Sequence, residues 1–299
     1  MPQVNVQATV WARVGEFMQG QSSAGDFLVS GCSSQHFYST ATLSNSIEPQ
    51  LDLPPKAAQA FTLFLQKHAS LAFRQEAVFP LAACQAAELQ GLSLSVQSNI
   101  PPGKGLSSSS ADVLSVLVVL NTYFQQPFDE SKLYQLAALI EPTDPCLSIN
   151  TVLFDQSQGR IMQSIPMPPL GVIYFDSMPA VQVDTIRLSL VRNYSNTDQI
   201  IFGSLLTDFI QAAEKGNYPA LFNSMSASAM RNQSYLPLPG FAHWLAFAQK
   251  HQAGVFIAHS GTILGLAVEK NRLETMQPLA ADFIRQHWKQ GVIYVEACG

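Results

Sequence analysis

Apolar and polar positions alternate in short bursts along the first third of the chain. VNVQATV, residues 4–10, alternates as a half-buried strand does. FYSTATL, residues 37–43, repeats the pattern with aromatic and β-branched residues, and LSLSVQ, residues 92–97, is a third strict alternation. The period changes over residues 57–68, AAQAFTLFLQKH, where apolar positions recur at helical spacing. DESKLYQLAALI, residues 129–140, is a second helical pattern, with Leu133, Leu136, Ala137 and Ile140 on one face and Asp129 as its N-cap. Between these last segments stands ADVLSVLVVL, an almost wholly apolar run that predicts a buried helix.

Residues 158–171, QGRIMQSIPMPPLG, interrupt the pattern. Pro166, Pro168 and Pro169 forbid a regular helix there, which places a boundary between a domain over residues 1–165 and another over 166–299. Beyond it GVIYFD reads as a strand. Residues 198–215 read as a helix stopped by Gly216, and FAHWLAFAQKH as a helix stopped near Gly254. VFIA and LGLAVE read as strands, residues 275–286 as a helix, and GVIYVEA, residues 291–297, as a closing strand. Strands and helices mix without a steady βαβ beat, so the predicted class is α+β.

Composition narrows the function. Of 299 residues 47% are hydrophobic and 12% charged, the net charge is −5, and Lys and Arg form no block. Nucleic acid is therefore excluded as an expected partner. No apolar run reaches the ~18 residues of a membrane span, and the N-terminal residues lack the basic head and apolar core of a signal peptide. Cys32, Cys84, Cys146 and Cys298 lie far apart with no CxxC pair, which reads as reduced thiols in a cytoplasmic protein.

Four stretches carry candidate chemistry. PPGKGLSSSSAD, residues 101–112, joins a strand to the apolar helix. A helix start leaves unpaired N–H groups that can hold an anion. Gly103 and Gly105 allow close backbone approach, Ser107, Ser108 and Ser109 offer hydroxyls, one serine could reach a magnesium ion, and Lys104 could add a point charge. The spacing is not that of a P-loop, and serines also cap helices without a ligand. EPTD, residues 141–144, sets two carboxylates at a proline-fixed turn. One suits a metal and the other a substrate hydroxyl, although an acidic capping turn reads the same way. AHSGTILG, residues 258–265, has two glycines for tight geometry and His259 and Ser260 as polar members. RVGEFMQG, residues 13–20, sets Arg13 and Glu16 in a Gly-rich turn.

Together these stretches resemble the GHMP kinase superfamily, whose loop has the form Pro-x-x-Gly-Leu-Gly-Ser-Ser-Ala. Here Ser107 stands at the third glycine and Ser110 at the first alanine. Gly15-Glu16 matches the early motif and HSGTILG the late one. Within it the chain is most similar to the L-threonine kinase branch of cobalamin biosynthesis, through GE-x-x-QG, SSxAD, EPTD before TVLFD, LPLPGF, AHSG and His287-Trp288. The resemblance implies a half like domain 2 of ribosomal protein S5, then a ferredoxin-like half. It implies ATP held by Gly103, Lys104, Gly105, Leu106, Ser107, Ser108, Ser109 and Gly261. It implies Mg2+ on Ser109 and Glu141, and Asp144 at the acceptor hydroxyl. Arg13, Glu16, His36, His259 and Ser260 fall on the substrate side. The implied activity is phosphoryl transfer from ATP to a small hydroxy amino acid, L-threonine first, with homoserine or another alcohol as the alternative. A nucleotide-dependent binding or regulatory protein that has lost turnover is a further alternative. Two departures stand out. Trp11 replaces the proline that opens the first motif. SQHFYST replaces a PVDWYST-like stretch, so His36 stands at an aspartate. Oligomeric state stays open, a homodimer included.

Overall fold

A computed structural model describes residues 4–48, 50–68, 91–184, 194–289 and 292–298. Strands β1 (Asn5–Arg13), β4 (Ser33–Asn45), β6 (Leu92–Ser98) and β5 (Leu51–Asp52) form a four-stranded sheet in that spatial order. β1 and β4 run antiparallel with Trp11 opposite Tyr38. Helix α1 (Pro55–His68), α2 (Ser108–Tyr123) and α3 (Glu130–Ala138) pack behind it. α2 is buried from Ser110 to Asn121 at all but Val118, as its unbroken apolar run requires. Its N-terminus is thereby fixed in space.

A second sheet has eight strands in the order β12-β9-β11-β10-β2-β3-β7-β8. β2 (Glu16–Ser22), β3 (Gly25–Ser30), β7 (Val152–Asp155) and β8 (Arg160–Ser164) come from the first half of the chain. β9 (Leu170–Asp176), β10 (Gly254–Ile257), β11 (Ile263–Glu269) and β12 (Tyr294–Cys298) come from the second. The last four, numbered within their half, lie in the order 4-1-3-2, all antiparallel, which is the ferredoxin-like arrangement. The two halves meet where Ile257 of β10 pairs with Glu16 of β2. The sequence boundary at 165/166 falls in the segment between β8 and β9.

Helix α4 (Asn196–Glu214) and α5 (Tyr218–Asn232) cover β2 and β10 on one face. α6 (Phe241–Lys250) and α7 (Leu273–Trp288) close a separate core on the other, around Trp244, Phe247 and Ile284. The α+β class and every element named from the sequence pattern are present, except that Gly291 of the last strand lies outside the described residues. α5 was not legible: YPALFNSMSASAMRN is Ser- and Ala-rich with a weak apolar period. Small residues suit a helix pressed against strands, and a Cβ at Gly254 would stand 2.9 Å from the Phe222 ring. The Gly-rich turn expected around Arg13 and Glu16 is shorter than the sequence suggests. Arg13 ends β1, Glu16 begins β2, and Gly15 at φ +61° turns the chain between them.

The thiols require a correction. Cys32 and Cys298 form a disulfide, with Cα atoms 5.5 Å apart across 266 residues of sequence; among the described residues Cys146 is a buried free thiol, and Cys84 lies outside them. Sequence spacing reveals only local pairs, whereas here the second sheet carries β12 to the start of β4. Among the described residues no helix is long and apolar enough to cross a membrane.

Candidate active site

The glycine and serine loop closes on the third motif backbone to backbone. Gly103 and Gly105 have φ of +71° and +81°. A Cβ at Gly105 would lie 2.2 Å from the Ala258 Cβ, and one at Gly261 would lie 2.1 Å from the Lys104 carbonyl oxygen. The Thr262 N–H donates to that same carbonyl at 3.0 Å. Only glycine permits this approach. Leu106 is buried beneath the loop. Ser107, at the third glycine position, sits in the left-handed region at φ +59° and makes no side-chain cap. Its hydroxyl is turned toward Asp144 and Cys146, so it leaves the first amides of α2 to other partners.

The ammonium of Lys104 does not face this mouth. It is buried and donates to the carbonyls of Met178 and Pro179 at 3.0 and 2.9 Å, also reaches Val181, and pairs with Asp176 at 2.8 Å. The expected point charge for a phosphate is spent instead on fastening the loop to the segment after β9. Val183 completes the fastening by donating to the Gly103 carbonyl at 3.1 Å.

EPTD lies across the start of α2. The Asp144 N–H donates to the Ser110 hydroxyl at 3.0 Å. The Ser109 hydroxyl donates to one oxygen of Glu141, and Lys56 of α1 pairs with the other. Ser109 and Glu141 are thus in contact, as a shared metal site needs. Among the described residues no group of three or more His, Cys, Asp or Glu could hold a metal. This two-ligand set fits magnesium, which takes one or two protein ligands and completes its shell with phosphate oxygens and water.

Asp144 is half-buried. Its carboxylate accepts from Gln156 at 3.0 Å. Desolvation by burial raises its pKa above the ordinary 3.8, hydrogen bonds from Ser107 and Gln156 oppose the rise, the charge of Glu141 adds to it, and Arg13 opposes it. A raised carboxylate is a better proton acceptor for an alcohol.

Arg13 braces this loop from behind. Its buried guanidinium donates to the carbonyls of Pro145 at 3.1 Å, Ser148 at 2.9 Å and Asn150 at 3.3 Å, and to the Ser33 hydroxyl at 3.1 Å. It also forms one wall of a cavity of about 850 Å³. Trp11, Ser34, Ser148, Met167 and the Cys32–Cys298 disulfide line that cavity with it. Glu16 is buried in β2. His259 is half-buried with Nδ1 3.0 Å from the Gln19 side-chain oxygen, and Ser260 is half-buried beside it. His36 is exposed. It is not among the cavity-lining residues, although Ser34 and Gln35 are. Its ring packs near Tyr294, with Nε2 3.9 Å from the buried Glu296 carboxylate.

Residues 66–150 match the family described as GHMP kinases N terminal domain. The whole chain superposes on homoserine kinase from Cytophaga hutchinsonii with a TM-score of 0.70 at 12% identity, covering 100% of this chain and 96% of that one. This chain is similar to GHMP kinases over residues 66–150 and shares its fold with that homoserine kinase. Mevalonate pyrophosphate decarboxylase from Streptococcus pyogenes superposes as fully, with a TM-score of 0.69 at 11% identity over 100% of this chain and 98% of that one. By sequence, the L-threonine kinase of Salmonella typhimurium is 29% identical over 203 residues, and that of Citrobacter freundii 28% identical over 190. These matches cover 64% and 61% of this chain, and 66% and 64% of the relatives. The chain thus aligns with slightly under two thirds of the length of either kinase.

Sequence reasoning missed Lys56, Gln156 and the bracing by Arg13. Lys56 follows Pro54-Pro55 in the first turn of a helix, which is a signal of helix start and not of chemistry. Gln156 lies beyond the EPTD loop and meets Asp144 only through the fold.

Proposed function

We propose that this protein is an ATP-dependent kinase acting on the hydroxyl of a small hydroxy amino acid, with L-threonine giving O-phospho-L-threonine as the leading acceptor. The observation that carries the proposal is the convergence of Ser109, Glu141 and Asp144 at the start of α2, under a loop interlocked with the third motif. The similarity to L-threonine kinases supports the acceptor class.

In this reading the ATP phosphates lie against the amides of residues 103–109 and the N-terminus of α2, where the helix dipole favours negative charge. Ser109 and Glu141 would hold Mg2+, which when bound would spread the phosphate charge. The acceptor oxygen attacks the γ-phosphorus, the bond from that phosphorus to the β,γ-bridging oxygen breaks, ADP departs, and the alcohol proton passes to Asp144. Arg13 keeps Asp144 in place through the carbonyls on its C-terminal side. The cavity behind that loop is the space we assign to the rest of the acceptor.

The test pairs nucleotide affinity with single-turnover transfer in the parent and in Asp144→Asn. Transfer is expected to fall by about 10²–10⁴-fold, with nucleotide affinity unchanged or slightly tighter because a nearby negative charge is gone. Retention of more than roughly a tenth of the parent's rate would remove Asp144 from this role.

A further inference from the structure

The most informative unassigned side chain is Lys56. It sits in the first turn of α1 and reaches across to Glu141, the residue read above as the acidic side of a metal site. Both oxygens of that carboxylate are engaged. Ser109 holds one and Lys56 the other. The two partners are not equivalent. Ser109 belongs to a helix buried from Ser110 to Asn121 at all but Val118, so its position is fixed by the core. Lys56 is the end of a flexible four-carbon stem, and its side chain is 33% exposed. An ion entering at Glu141 therefore displaces Lys56 more cheaply than Ser109.

The electrostatics give Lys56 a reason to be there. Glu141 acts on Asp112 and on Asp144, and raises both carboxyls after their larger desolvation. Three acids thus share one small region at the start of α2. Lys104, the cation expected from the motif, is committed to Asp176 and three carbonyls. Arg13 faces Asp144 from the far side of its loop. Among the described residues Lys56 is the cation in contact with Glu141.

We propose that Lys56 holds the place of the divalent cation in the nucleotide-free protein, taking the Glu141 oxygen that the ion takes, and moves onto the nucleotide phosphates when metal and nucleotide arrive. A compact ammonium suits both positions, because it can donate to a carboxylate and then to a phosphate oxygen. This inference rests on the reading of Ser109 and Glu141 as the metal-side pair. It does not depend on the acceptor.

The decisive experiment uses the unmodified protein. Lysines are acylated with limiting acetic anhydride and quantified by mass spectrometry. The conditions are nucleotide-free, with Mg2+ alone, and with Mg2+ plus a non-hydrolysable ATP analogue. Lys132, which is 77% exposed, serves as internal reference. Lys56 labelling should rise several-fold with Mg2+ alone and fall below the starting level with the analogue. Labelling indifferent to Mg2+ in both conditions overturns the proposal. Calorimetric titration of Mn2+ into nucleotide-free Lys56→Met gives a second readout. Binding should tighten by about tenfold over the parent, and adding Glu141→Gln should abolish the gain. Binding no tighter than the parent's contradicts the inference. Mg2+-dependent labelling without phosphoryl transfer to any alcohol would sink the kinase reading and leave this one standing. Transfer with an indifferent Lys56 would do the reverse.

Discussion

The end proposed above for phosphate and the end proposed for the acceptor are built on different principles. At the phosphate end the parts touch at backbone distance. Gly105 and Gly261 leave no room for a Cβ, Ser109 meets Glu141, and Ser110 receives the Asp144 amide. At the acceptor end a cavity of about 850 Å³ is assembled from β1, the start of β4, residues 146–151, residues 164–167 and the end of β12. Its side chains come from segments scattered over the whole sequence. The first arrangement depends on close contact that tolerates few residues. The second is a surface that can change one wall at a time.

Mutations at the two ends should therefore differ in size and kind. Ser109→Ala should cost about 2–4 kcal/mol in transition-state terms for Mg–ATP use, by analogy with the loss of one preorganised donor. An unchanged kcat/KM for ATP would place the metal-side chemistry elsewhere. Gly261→Ala forces the third motif off the Lys104 carbonyl and should cost roughly 10²-fold in transfer, since a shift near 1 Å misplaces the reacting groups. A variant with normal transfer would mean that the two loops need not interlock.

Smaller effects follow from the stored acidity of the phosphate end. Burial, chiefly, raises the Asp112 carboxyl above 3.8, against hydrogen bonds from Ser39 and Ser98. The folded state therefore binds the proton more tightly than the unfolded state, and stability is lost as pH rises from 3.8 through the raised value. Asp112→Asn should raise Tm at pH 7, and the gain should shrink as pH falls toward 3.8. A Tm difference independent of pH would contradict the assignment. The smallest effect is expected at His36. Its ring lies against Tyr294 and Glu296 outside the cavity lining, so His36→Asn should change acceptor kcat/KM by no more than a surface substitution does, about 0.5 kcal/mol. A large change in acceptor preference would bring His36 into the pocket. An aspartate there would face the Glu296 carboxylate.

What could be read in the sequence follows the same division. The serine loop, EPTD and HSGTILG were legible because each is a short run whose backbone demands fix the residue types. Strands β1, β4 and β6 of the first sheet were legible because their apolar and polar positions alternate, and the two-residue β5 is too short to leave such a pattern. Lys104 misled because a lysine between two glycines reads alike whether its ammonium faces a phosphate or Asp176. Lys56 was silent because its partner Glu141 is 85 residues away. The Cys32–Cys298 bond was silent because only the topology of the second sheet brings its ends together. Arg13 showed its presence but not its direction, which depends on a loop more than a hundred residues later.

The central claim is that this site moves the γ-phosphoryl group of ATP onto an alcohol. It is tested most directly by incubating the parent protein with Mg–ATP and each member of a panel of small alcohols and amino acids, measuring ATP consumption and product mass together. The account predicts that L-threonine stimulates consumption with the highest kcat/KM in the panel, and that the amino acid gains the mass of one phosphoryl group while ADP accumulates in equal amount. ATP consumption that no alcohol stimulates, or whose phosphate appears only as the free inorganic ion, would contradict it.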